Sequence, residues 1–212
     1  GPIPSSSSPP SCPSNLRSGP GGPVPAAITE PRCSPVTFVP CPIPFERPTA
    51  NAVPTAEGAI QIALEELPIT LHGAKVLVVG YGRLGRALAP RLAALGAKVS
   101  VSARKWEDLA WIEAAGYAAE HTGELAGWLC GYDLVVNTVP ARVLDEEALR
   151  DLKPGCLLID LASKPGGVDF EAARALGVRA IWALSLPGKA APVTAGQAVK
   201  SSVYHILNEL GV

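Results

Sequence analysis

From Pro54 onward the apolar residues of this chain alternate between a helical period of about 3.6 residues and short continuous runs typical of buried strands. In PTAEGAIQIALEEL the residues Ala56, Ala59, Ile60, Ala63, Leu64 and Leu67 recur at helical spacing, with Thr55 as cap and Pro68 as stop, which predicts an amphipathic helix over 55–67. KVLVV (75–79) is a short buried strand. Over 82–95, Leu84, Leu88, Leu92 and Leu95 share one helix face, and KVSVS (98–102) forms a second strand. The alternation continues with a helix in 106–116, a short strand in 117–121, a helix in 123–131 and a strand in 133–139. It ends with a helix in 145–152, a strand in 156–162, a helix in 169–177 and a last strand in 178–184. A closing helix spans 194–210, with Val199, Val203, Ile206, Leu207 and Leu210 turned inward.

Six strands alternating with helices predict an α/β fold, a parallel sheet covered on both faces. The count and order fit a complete doubly wound six-stranded Rossmann domain over 51–212, flanked by the helices 55–67 and 194–210. Residues 1–50 have a different texture. They hold 14 of the 22 prolines and most read as a disordered or extended Pro/Ser/Gly-rich leader, because proline removes backbone donors and few apolar residues are available to bury. Only 36–50 carry enough apolar weight to lie as an extended edge strand. The start at Gly1-Pro2 and the absence of Met lead us to expect a trimmed tag or a fragment of a longer protein.

A formal net charge of −1 and 17% charged residues, with no basic block, give no footprint for a nucleic acid or an anionic membrane as partner. The mean hydropathy of +0.24 comes from short runs, none near the ~18 apolar residues of a membrane span, so a soluble protein is expected. Five cysteines without a C-x-x-C pair or nearby histidines argue against a metal site and for a reducing cytoplasm. Among them, Cys130 and Cys156 read as small core fillers. The sequence is compatible with a homo-oligomer and does not demand one.

The strand 75–79 runs straight into Gly80-Tyr81-Gly82-Arg83-Leu84-Gly85, followed by a helix. Gly80 permits a tight turn, Gly82 lets a pyrophosphate approach the backbone, and Gly85 lets the helix pack on its strand, with free N–H groups at the helix start. A dinucleotide site is expected there. The second strand ends in Ser102-Ala103-Arg104-Lys105, where an NAD enzyme usually presents a carboxylate to the ribose. A hydroxyl and two cations suit a 2′-phosphate, which favours NADP; the alternative is a solvated basic corner. Asn137, Thr138, Val139 and Pro140 follow the fourth strand, and Asp160 and Ser163 follow the fifth, so both loops should border the cofactor. Pro140 also has a purely structural reading as a turn, and Asp160 one as a fold anchor.

Six strings in the same order, NAVPTAEGAIQIALEE, VLVVGYGRLGRALA, SARK, NTVPA, LLIDLASKPGGVDF and LPGKAAPVTAGQ, resemble the C-terminal part of the dipicolinate synthase A-subunit family over residues 51–212. The resemblance implies an NADP-linked oxidation of a dihydrodipicolinate-level precursor, a small dicarboxylate, to dipicolinate during spore formation. It also implies a partner, the dipicolinate synthase B subunit, in the mother-cell cytoplasm. Family members carry a further α/β domain ahead of the first helix, which residues 1–50 cannot supply. Such chemistry needs a base and a cation for substrate carboxylates. Lys164, in the loop beyond the fifth strand, is the candidate for the cation, against a plain surface lysine. Thr55, Glu57, Pro187, Gly188 and Thr194 to Gly196 should approach the nicotinamide side or serve as caps and turns. His72, His121 and His205 read as surface or packing residues. Other two-domain dehydrogenases, of the shikimate or 2-hydroxyacid type, and a non-catalytic NADP-binding module remain open.

Overall fold

The polypeptide is represented by a computed structural model that describes residues 50–211. The expectations for the leader before Ala50, and for Cys12, Cys33 and Cys41, lie outside the described residues. The chain forms α1 (Ala52–Glu66), β1 (Lys75–Val79), α2 (Arg83–Ala94), β2 (Lys98–Ala103), α3 (Trp106–Ala114), β3 (Ala118–His121) and β4 (Leu134–Asn137). It continues through α4 (Glu146–Arg150), β5 (Leu157–Asp160), α5 (Phe170–Ala175), β6 (Arg179–Trp182), α6 (Leu186–Ala190) and α7 (Pro192–Glu209). All six strands are parallel, in the order β3-β2-β1-β4-β5-β6. The winding direction reverses between β1 and β4, and the crevice at that switch point is where an open α/β sheet binds ligands.

Strand alternation builds two apolar layers. Val76 and Val78 of β1 and Val101 of β2 meet Leu88, Leu92 and Ile112 of α2 and α3, with Ala56, Ala59 and Ala63 of α1 in the same layer. Leu77, Val79, Val135 and Leu158 point the other way, against Leu129, Leu144 and Leu149. Each such fully buried aliphatic side chain contributes about 1.5–3 kcal/mol relative to exposure, which explains why the central strands contain almost nothing else. The ends of the strands are where polar residues enter.

Several local expectations are corrected. Helix α1 begins at Ala52, so Thr55 lies inside it; its hydroxyl donates to the Asn51 carbonyl at 2.5 Å instead of capping the helix start. Pro54 fits in that first turn because its missing N–H is not needed there. Residues 123–131 form no helix but two single 3-10 turns, Thr122–Glu124 and Leu129–Gly131. Only Leu125 and Leu129 are buried in this stretch, and Gly127 takes a left-handed φ of 88° that interrupts any helix. Cys130 is exposed on that connection, whereas Cys156 is buried, as expected, and desolvation pushes its thiol up to about 12.

Helix α7 is correctly placed, but none of its residues is buried. Val199, Val203, Ile206, Leu207 and Leu210 are all exposed, because among the described residues nothing covers that face. The half-buried residues are Ala195, Ala198, Ser202 and His205, with Ala191 just before the helix, a stripe displaced by one position from the apolar one. Thr194 and Gly196 lie on α7, as the closing helix predicts, whereas Pro187 and Gly188 lie on α6, a short helix the sequence did not predict. No helix among the described residues is long and apolar enough to cross a membrane.

Candidate functional site

The turn leaving β1 is built around its glycines. Gly80 has φ 101°, and its N–H donates to the Ser102 carbonyl at 2.9 Å, tying the ends of β1 and β2 together. A Cβ at Gly80 would lie 2.6 Å from the Thr138 hydroxyl, and one at Gly85 would lie 2.0 Å from the Gly80 carbonyl oxygen. Both positions are closed by packing. Gly82 is the opposite case: a Cβ there would meet none of the described residues within 4 Å. That open approach lies directly at the start of α2, whose first turn has neither an acidic residue nor a side-chain cap. The first N–H groups of the helix and its positive dipole end are left for an anion. The residues present thus fit a dinucleotide pyrophosphate.

A cleft of about 300 Å³ opens at this point. It brings together Gly80, Tyr81, Gly82, Arg104, Lys105, Thr138, Val139 and Pro140 from the sequence-derived set. The Thr138 hydroxyl donates to the Val79 carbonyl at 2.9 Å, which seats the β4 loop beside the glycine turn. Four further residues, which the sequence did not single out as contacts, complete the site. Ala103 and Thr122 line the cleft, as does Asp108 from the first turn of α3. Arg86 pairs with Asp108 at 3.2 Å, donates through Nε to the Tyr81 carbonyl at 3.1 Å, and lies 4.7 Å from the centre of the Tyr81 ring. Nothing in the local sequence marks Arg86 and Asp108 as partners, since they belong to different helices.

Several expected contacts do not face the cleft. Ser102 is fully buried, and its Oγ accepts from the Thr122 hydroxyl at 3.2 Å, because the pleat turns it to the opposite side from Ala103. Asn137 and Asp160 are also fully buried. The Asn137 amide donates to Asp160 at 2.8 Å and to the Val139 carbonyl at 3.0 Å, while its own oxygen accepts from the Val139 N–H at 3.1 Å. Asp160 also accepts from the N–H groups of Ala162 at 3.0 Å and Gly167 at 2.9 Å. Both side chains are consumed in holding the β4 and β5 loops, an arrangement that corresponds to the anchor reading of Asp160. Leu84 packs against the core, Gly85 is buried, and Arg83, Ser163 and Lys164 are exposed outside the cleft lining.

A larger cavity of about 560 Å³ lies at the other end of the sheet, beside Lys75, Lys98, Tyr117 and Tyr132. It adjoins the amino ends of the strands, where α2 and α3 end rather than begin and so offer no free N–H groups to an anion, and volume therefore does not decide the site. Among the described residues no three His, Cys, Asp or Glu side chains form a group that could hold a metal ion.

A parallel sheet with its glycine turn at the switch point, a free helix N-terminus and a basic strand tip beside it define a dinucleotide-binding domain of the dehydrogenase type. Residues 54–172 match the D-isomer specific 2-hydroxyacid dehydrogenase NAD binding domain, and the chain belongs to that family. A nicotinamide cofactor follows from that membership. The chain is similar to the dipicolinate synthase A subunit of Bacillus subtilis (strain 168), 41% identical over 160 residues, which is 76% of this chain and 54% of the relative. The crystal structure of the dipicolinate synthase A subunit from Bacillus halodurans matches with a TM-score of 0.74 and 41% identity, over 76% of this chain and 56% of that one. Its counterpart from Bacillus subtilis, also solved as a crystal structure, matches with a TM-score of 0.75 and 40% identity, over 78% and 55%. The chain spans about half the length of these relatives.

Proposed function

We propose that residues 51–212 are the NADP(H)-binding domain of an oxidoreductase of the dipicolinate synthase A type. The observation that carries the cofactor choice is the composition of the cleft at the end of β2. Arg104 and Lys105 line it, β2 ends in Ala103 where a ribose-binding acid would stand, and the nearby carboxylate, Asp108, is paired with Arg86. A 2′-phosphate there meets two cations and no free anion.

Gly80, Gly82 and the first N–H groups of α2 hold the pyrophosphate in this reading, with Tyr81, Thr138, Val139 and Pro140 as walls. The bound nicotinamide supplies hydride acceptance. The proposed reaction is the oxidation of a dihydrodipicolinate-level dicarboxylate to dipicolinate, for which the nicotinamide would supply the hydride acceptor and a base would take the accompanying proton. Lys164, exposed in the loop after β5, is the group of this domain proposed to meet a substrate carboxylate. The rest of the substrate side is assigned to polypeptide outside residues 51–212, in keeping with the greater length of the relatives. The dipicolinate synthase B subunit is the proposed partner, and the mother-cell cytoplasm of a spore former the proposed setting.

The test is a fluorescence titration with NADPH and NADH. We expect tighter binding of NADPH, and we expect Arg104→Ala to remove most of the difference, about tenfold or more for a charge-assisted phosphate contact, with little effect on NADH. Equal affinity of the unmodified protein for the two cofactors would refute the assignment.

A further inference from the structure

The two cations of the cleft sit on a connection of only two residues. Strand β2 ends at Ala103 and α3 begins at Trp106, so Arg104 and Lys105 are the whole link between them. Lys105 occupies the cap position of α3 without making a side-chain cap bond. What ties this link down comes from the neighbouring strand. His121, the last residue of β3, is the register partner of Ala103, and its Nε2 lies 3.2 Å from the Arg104 carbonyl oxygen. Its Nδ1 accepts the N–H of Gly123 at 3.2 Å.

These two contacts define the tautomer. A nitrogen that accepts from a backbone N–H carries no proton of its own, so the proton of the neutral ring sits on Nε2 and is donated to the Arg104 carbonyl. The ring also stacks on Trp106, the first residue of α3, at 5.7 Å between centroids and 26° between planes. One imidazole therefore holds both ends of the basic link, the carbonyl by a hydrogen bond and the following residue by stacking. The same turn places Thr122, whose hydroxyl bonds Ser102, in the wall of the cleft.

We infer that His121 is a positioning residue for cofactor choice: it fixes the backbone that aims Arg104 and Lys105 at the ribose 2′-phosphate. The inference rests on the NADP reading given above. It requires that loss of the imidazole bonds affect the phosphate-bearing cofactor and leave its unphosphorylated counterpart alone, because the glycine turn and α2 lie on other elements.

The experiment compares NADPH and NADH dissociation constants for the unmodified full chain, Arg104→Ala, His121→Phe and His121→Gln, with thermal melting of each. Phenylalanine keeps a ring for the Trp106 stack and loses both hydrogen bonds, whereas glutamine restores an N–H donor for the Arg104 carbonyl. His121→Phe should lower the NADPH preference about threefold to tenfold, the worth of one or two hydrogen bonds, with NADH affinity unchanged. His121→Gln should recover part of that loss. A His121→Phe protein that retains the full preference, or loses affinity for both cofactors equally, overturns the inference while the NADP reading stands if Arg104→Ala still removes the preference. An unmodified chain without any preference overturns the NADP reading itself, and this inference with it.

Discussion

At the ends of β4 and β5, Asn137 and Asp160 are fully buried, bonded to each other and to the backbone of the loops that follow them. At the ends of β1 and β2, along the same edge of the sheet, Gly82 stands clear of the other described residues, and Arg104 and Lys105 line an open cleft. Both pairs of strand tips occupy the place where this fold binds ligands. They differ in where their polar atoms find partners. The β4/β5 tips satisfy theirs internally and become a wall, whereas the β1/β2 tips leave donors and cations free for an anion. Proximity to the site therefore does not make a residue a ligand contact; an unspent polar group does.

The strongest way to break this contrast is Asp160→Ala. It removes one of the two acceptors of the Asn137 amide and leaves the N–H groups of Ala162 and Gly167 without theirs in a dry interior. We expect a loss of about 3 kcal/mol in urea unfolding, with the ratio of NADPH to NADH affinity unchanged in whatever fraction stays folded. A stable variant with an altered ratio would reverse the roles of the two tips. Gly82→Ala probes the other side. The new methyl meets no atom of the described residues, so the melting temperature should hold, while cofactor affinity falls about tenfold because the methyl occupies the pyrophosphate approach. Gly85→Ala, which must displace the Gly80 carbonyl, should lower both.

The smallest effect is expected at the amino ends of the strands, far from either tip. Burial pushes the Asp133 carboxyl up, but the Lys153 ammonium at 2.5 Å and the Lys75 N–H at 2.8 Å outweigh it and hold it below the ordinary carboxylate value. Its stabilising contribution is therefore complete above the unfolded value and is lost as the pH falls through the lowered one. Because the pair is partly exposed, Lys153→Ala should cost under about 1 kcal/mol at neutral pH and flatten the acid limb of the stability profile. Cofactor titration at neutral pH should not register it.

The βα alternation and the glycine turn are legible in the sequence. KVLVV and the residues after it carry their own instructions: β-branched runs for buried parallel strands, and a glycine at the position that takes φ 101°. The helix expected over 123–131 does not form, although Leu125 and Leu129 are spaced as on a helix, because the glycines between and beside them break it into turns. Helix α7 forms where its period predicts, yet its apolar stripe does not face inward, since burial needs a partner and not only a period. Thr55 has the look of a cap because it precedes the apolar run, but Asn51 and Pro54 allow the helix to begin a turn earlier.

The sequence by itself determined the order of the strands, the position of the switch-point turn and the family, because period, backbone propensity and motif are properties of neighbouring residues. Only the tertiary structure decided which polar side chains were spent and which were free. Asn137 reaches Asp160 across 23 positions, Arg86 reaches Asp108 across 22, and His121 reaches the Arg104 carbonyl across 17. No local period encodes such pairings. They follow from strands and helices brought side by side, where a buried donor must find whatever acceptor the fold has placed within about 3 Å.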